Sequence, residues 1–199
     1  MPFLLRVALP DVPGSLGRVA SAIGEAGGDI EAIEIVEHRP DGTAVDDVLL
    51  EALPGVMPDS LVSACNALEG VSVVWISRYA AGGGLFLDLE AVEELTAHPT
   101  MAVDRLVELL PKIFRADWAA RVGPDGAGQR TGAAPDAFEW VRVDKPGRLT
   151  SDDDNVLAAA PLAGDEFVVI ARRGGPDILD SELARLGHLV ALAVSISRT

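Results

Sequence analysis

Within the first 80 residues the apolar positions switch between the two-residue period of a strand and the 3.6-residue period of a helix, and this switching constrains the fold more than any other feature. Phe3, Leu5, Val7 and Leu9 alternate with Leu4, Arg6 and Ala8, as along a strand. Pro10 and Pro13 end that run, because proline has no amide to donate and a fixed φ. From Ser15 the apolar positions fall at Leu16, Val19, Ala20, Ile23 and Gly27, one face of a helix, which Gly27-Gly28 closes. Asp29–Arg39 reads as a second strand. Pro40-Asp41-Gly42 is a tight turn, and Thr43–Leu53 is the hairpin partner. Pro54-Gly55 breaks the pattern. Leu61, Ala64, Cys65 and Leu68 mark a second helix closed by Gly70, and Val71–Ser77 is a fourth strand. The order βαββαβ predicts an α+β, ferredoxin-like domain: a four-stranded antiparallel sheet with two helices on one face.

Ala80-Ala81-Gly82-Gly83-Gly84 then reads as a glycine-rich linker, dividing the chain into domains at 1–79 and 85–199. In the second, Val103, Leu106, Val107, Leu110 and Phe114 line a helix face, with Pro111 expected to kink or end it. Trp118–Val122 is strand-like and leads into a turn at Pro124-Asp125-Gly126. Residues 126–137 read as loop and Phe138–Val143 as a strand. Val156–Leu162 and Glu166–Arg173 are the clearest strands of this half. A long closing helix begins near Asp180, the expected N-cap, with Leu183, Leu186, Val190 and Ala193-Val194 on its apolar stripe. These elements predict a second α/β domain with a central antiparallel sheet flanked by helices. The two halves show no internal repeat.

Composition narrows the function. The 199 residues carry 31 Asp and Glu against 16 Lys and Arg, a net charge of −15. Nucleic-acid binding needs a basic stripe and anionic membranes favour basic surfaces, so neither is an expected partner. The plainest role of the acidity is solubility. One cysteine allows no internal disulfide and no cysteine-built metal site. No apolar run is long enough to span a bilayer, and the amino terminus lacks the basic start and cleavage site of a signal peptide. The expected compartment is the cytoplasm.

The loop Asp11-Val12-Pro13-Gly14-Ser15-Leu16-Gly17 precedes a helix whose N-terminus carries unpaired amides and partial positive charge. Gly14 lets backbone approach a ligand, and the amides of Ser15 and Leu16 suit a carboxylate. Asp29 is an acceptor for an ammonium group. Together they describe a ligand-sized notch for a free amino acid between the helix N-terminus and the start of the next strand. The same residues also satisfy a plain Pro-Gly turn, with Asp29 capping a loop.

Asp11-x-Pro13-Gly14-x-Leu16 followed by Gly28-Asp29-Ile30 resembles the signature of the ACT domain, over about residues 1–79. The resemblance implies a regulatory module that pairs with a second copy and binds an amino acid at the interface. It also implies ligand contacts from Asp11, Val12, Pro13, Gly14, Ser15 and Leu16 and around Gly28, Asp29 and Ile30. Many amino-acid-binding members carry Asn where Asp29 stands. A carboxylate there holds an ammonium but repels a carboxylate, and some ACT modules only dimerise. The second half, most clearly its last 35 residues, is similar to a GAF domain. It is short for that family, with no chromophore cysteine and no cyclic-nucleotide motif, so a reduced domain used for dimerisation is expected rather than an intact sensor, and no binding residue is carried over.

Catalytic machinery is not expected. Cys65 lies on an apolar helix side. His38, His98 and His188 sit in no recognisable motif, and no nucleophile has a base beside it. Asp152-Asp153-Asp154-Asn155 lacks the spacing of a calcium loop and reads as a solvated turn. Gly82-Gly83-Gly84 lacks the Lys-Ser/Thr of a phosphate loop. Asp46 and Asp47 must point to opposite faces of their strand. Arg172-Arg173 is an anion-site candidate or an ordinary strand end, and Trp75 reads as core or dimer contact. The leading expectation is a homodimeric regulatory protein that binds an amino acid or similar small molecule, without cofactor, metal or catalysis. The alternative is a dimerising adaptor with no ligand. An enzyme of amino-acid metabolism is the third reading.

Overall fold

The computed structural model describes residues 2–78, 83–150 and 155–198. It divides into two compact units, Met1–Gly83 and Gly84–Thr199.

The first unit runs β1 (Pro2–Pro10), α1 (Ser15–Glu25), β2 (Gly28–His38), β3 (Thr43–Ala52), α2 (Pro58–Asn66), β4 (Ser72–Arg78). Its sheet has the order β2-β3-β1-β4 with antiparallel pairing, as the alternation of period predicts. Phe3, Leu5, Val7 and Leu9 pair with Leu50, Val48, Asp46 and Ala44. All of these except Asp46 join Val19 and Ile23 of α1 and Leu61 and Cys65 of α2 in one buried core. Gly28 is required where α1 hands over to β2. A Cβ there would lie 2.7 Å from Ile23 Cγ2 and 3.0 Å from Leu61 Cδ2. On the opposite strand face Arg6 pairs with Asp47, Nε to Oδ1 at 2.7 Å and Nη2 to Oδ2 at 2.8 Å, and both residues are buried.

The second unit runs α3 (Gly83–Ala97), a 3-10 turn (Pro99–Met101), α4 (Ala102–Phe114), β5 (Trp118–Gly123), β6 (Gly126–Arg130), β7 (Gly147–Leu149), β8 (Asn155–Pro161), β9 (Phe167–Arg173), α5 (Asp180–Ile196). The sheet order is β6-β5-β9-β8-β7, with every pair antiparallel. The two sheet faces differ. Ala119, Ala158, Ala160, Val168 and Ile170 pack under α3, α4 and α5. Trp118, Val122, Leu157, Phe167 and Val169 face the other way, where Phe138, Val143 and Leu149 pack on them.

Several local expectations change. Residues 126–130 form a strand, because β5 offers them a ladder despite their lack of alternation. Phe138–Val143 is not a strand: its apolar residues cover the sheet with no neighbour to pair with. Pro111 does not end α4, which continues to Phe114. The N-cap of α5 is Leu179 rather than Asp180, and its amide donates to Glu182 Oε2 at 2.8 Å. Helix α3 begins inside the stretch read as linker, while residues 80–82 of that linker lie outside the described residues.

Candidate functional site

The β1–α1 loop is built by backbone bonds. Asp11 N–H donates to Gly42 O at 2.8 Å, Val12 N–H to Pro10 O at 2.9 Å, and Ser15 N–H to Val12 O at 3.2 Å. Gly14 stands at the N-cap with φ +91°, where an L side chain is strained, and the space a Cβ would enter is open. No side chain caps α1. Because Ser15's amide is already engaged, the free donors are those of Leu16 and Gly17, for which the described residues supply no acceptor. Val12 is exposed, and Leu16 packs against the core.

Beneath this loop lie polar groups that the sequence did not connect. His38 Nδ1 is 2.8 Å from Asp11 Oδ2, an exposed pair that ties the end of β2 to the loop. Ser15 is buried with its hydroxyl unpartnered among the described residues. Asp46 is 2% exposed, faces the helices, and its Oδ1 has no partner there either. Burial pushes the Asp46 carboxyl above its ordinary range. The charges of Asp11 and Asp47 push the same way, and only His38 opposes them. Alternation along Asp46-Asp47 was legible; which of the two faces the core depends on the β1–β3 register.

Gly28, Asp29 and Ile30 start β2, opposite Ala52, Glu51 and Leu50. Gly28 is buried, Ile30 packs on the core, and Asp29 is exposed. Asp29 and Glu51 share a cleft of about 420 Å³ with Leu53, Pro54 and Val56.

The two halves of the expected notch do not meet within one chain. The loop lies beside Gly42 and Thr43 at one end of β3, and Asp29 pairs with Glu51 at the other. Eight residue steps separate Thr43 from Glu51, about 26 Å at roughly 3.3 Å per residue. The cause is α1, whose eleven residues return the chain to the starting end of the sheet before β2 begins.

The other singled-out residues resolve as follows. Cys65 is buried, and burial raises its thiol pKa, which disfavours the nucleophilic thiolate. His98 Nδ1 lies 3.3 Å from Glu94 Oε1 on an exposed helix end. Arg172 is buried in an internal network, whereas Arg173 is exposed. Trp75 is partly buried in β4. Among the described residues no three His, Cys, Asp or Glu side chains cluster to hold a metal, and no helix is long and apolar enough to cross a membrane. Asp152, Asp153, Asp154 and Gly82 lie outside the described residues.

Comparison with known proteins identifies an ACT domain in the first unit: that family's model matches residues 3–55. The NAD-dependent malic enzyme 1 of Bacillus subtilis (strain 168) is 36% identical over 74 residues. That stretch is 37% of this chain and 17% of the enzyme, so the chain spans under a fifth of that relative's length. A formyltetrahydrofolate deformylase from Pseudomonas putida KT2440 aligns over 42% of this chain and 30% of its own, with 14% identity and a TM-score of 0.31. An unknown protein from Galdieria sulphuraria aligns over 99% of this chain and 91% of its own, with 13% identity and a TM-score of 0.35. Likeness this distant carries nothing about function. The ACT match supports a regulatory, small-ligand role for the first unit.

Proposed function

We propose that the chain is a non-catalytic regulatory protein that binds a free amino acid between the first units of two copies. One observation carries this reading. The two binding surfaces have complementary chemistry and lie at opposite ends of one sheet, so neither completes a site alone. The Leu16 and Gly17 amides at the N-terminus of α1 suit a carboxylate. The Asp29 cleft suits an ammonium. A two-fold pair brings the loop of one copy to the cleft of the other and satisfies both ends of one zwitterion. Under this reading Pro13 and Gly14 shape the loop, Asp11 is oriented by His38, and Asp29 anchors the amine. The second unit, with its GAF-like pattern, contributes to dimerisation, and the compartment is the cytoplasm.

A thermal-shift screen against the twenty amino acids tests this, because a ligand that binds only the folded state raises the melting temperature. The expected result is one clear hit that Asp29→Ala abolishes, with a dimer by light scattering. A stable dimer with no shift at millimolar amino acid refutes ligand binding. It would favour the adaptor reading, to which the exposed apolar Ile35 on β2 and Val74 on β4 lend an observation.

A further inference from the structure

We propose that the second unit contains a separate binding site for a small aromatic monocarboxylic acid, on the sheet face turned away from its helices. The cavity there measures about 840 Å³, within the range of small-molecule sites, roughly 300–1,000 Å³. Trp118 and Leu157 form its floor, Phe138 and Leu149 its apolar walls, and Arg173 and Arg148 its basic side.

The cover is a segment of fixed position. Residues 131–146 contain neither helix nor strand, and irregular runs of that length inside a compact domain are usually either functional or disordered linkers. The segment is pinned along its length. Thr131 Oγ1 accepts from Ala119 N–H at 3.0 Å, Arg130 Nη1 donates to Pro135 O at 2.9 Å, and Trp140 Nε1 donates to Asp165 O at 2.7 Å. At its far end Pro146 packs so closely on α5 that a Cβ on Gly187 would lie 2.5 Å from the proline ring. These anchors hold the segment over the sheet and leave a void beside Phe138.

Lining chemistry selects the ligand. Trp118 and Phe138 line the cavity edge-to-face with centroids 6.0 Å apart, Phe167 backs Phe138 at 6.1 Å from beneath, and the half-buried Phe138 ring suits contact with a planar ring. Three arginines line the cavity in a chain of net charge −15. Two are already compensated: Arg142 by Asp144 at 2.9 Å, and Arg148 by Asp180 at 2.8 Å. The Arg173 guanidinium has no ion-pair partner among the described residues, and Glu139 on the wall opposes a second negative charge. One cation without an ion-pair partner among the described residues, beside an aromatic wall, matches one carboxylate on a ring, and a polyanion such as a nucleotide is mismatched.

Calorimetric titration of the full chain with phenylacetate, phenylbutyrate, phenylacetamide and adenosine monophosphate tests the assignment. Either acid should bind at sub-millimolar concentration, the amide at least tenfold more weakly, and the nucleotide no better than the amide. Arg173→Met should weaken the acid at least tenfold and Arg173→Lys less. Asp29→Ala should leave acid binding unchanged, which separates this site from the amino-acid site of the first unit. Absence of binding by both acids at millimolar concentration, equal binding of acid and amide, or loss of binding in Asp29→Ala each overturns the proposal. The acid–amide comparison uses the unaltered protein and decides the matter even if the Arg173 variants do not fold.

Discussion

Replacing Arg172 by Met should cost the second unit about 3–5 kcal/mol, the range for breaking a buried ion pair. The Arg172 side chain is 5% exposed and its partner Glu182 is 13% exposed. Nη2 binds Glu182 Oε1 and also donates to Phe114 O at 2.8 Å, with longer contacts from Nη1 to Pro176 O and Asp177 O at 3.3 and 3.4 Å. Phe114 is the last residue of α4, so its carbonyl belongs to the set that a helix cannot satisfy internally. One side chain therefore caps α4, holds the β9–α5 connection and anchors the first turn of α5. Met keeps the stem and removes every donor. Glu182 retains the Leu179 amide, which moderates the loss, while the stranded Phe114 carbonyl adds about 1–3 kcal/mol. Urea unfolding in a Trp75→Phe background reads Trp118 and Trp140, both in the second unit. With a slope near ~2 kcal/mol/M, the midpoint should fall by roughly 1.5–2.5 M. Arg172→Lys should fall between, since a point charge cannot reach the carboxylate and the helix end together. Arg172→Met/Glu182→Leu should recover part of the loss. A midpoint shift below about 0.5 M for Arg172→Met, or no recovery in the double variant, refutes the argument.

Two further outcomes follow from the first unit. Asp46 has a raised pKa in the folded chain, so its favourable contribution is complete below the unfolded value of about 3.9 and is lost as pH rises through the folded value; Asp46→Asn should therefore raise stability at pH 7, with the gain shrinking towards pH 4 in melts recorded across that range, and an equal gain at both pH values would show that the titration is not the cause. Gly28→Ala forces a Cβ against Ile23 Cγ2 and Leu61 Cδ2 and should cost about 1–3 kcal/mol by overpacking, read as a lower urea midpoint; a neutral result would mean that the α1–α2 contact yields without strain.

Legibility followed how local each determinant is. The βαββαβ order could be read because each element of the first unit carries its own period and its own stop. Helix α3 was hidden by its opening glycines, although Ala91 and Leu95 reach the core. Strand β6 was hidden because Gly126–Arg130 has no apolar alternation and exists through its ladder with β5. Arg172 looked like a strand-end charge because the Phe114 carbonyl it caps is 58 positions away in sequence. The cavity of the second unit had no sequence signal: its floor comes from β5 and β8, and its walls from β7 and β9 together with a run without periodicity.

The binding motif itself carries the larger lesson. In sequence, Asp11–Leu16 and Gly28–Ile30 are separated only by a short helix, which invites reading them as one notch. A helix of eleven residues at about 1.5 Å each carries the chain back roughly 16 Å, so any βαβ unit of this handedness and length sends its two loops to opposite ends of the sheet. Under the proposed function, a signature spanning such a helix therefore describes two half-sites on each copy. An amino acid needs a donor set and an acceptor set within a few ångströms of each other. Under the proposed function, this geometry makes pairing of two copies a condition of holding both ends of one amino acid rather than an accompaniment to it.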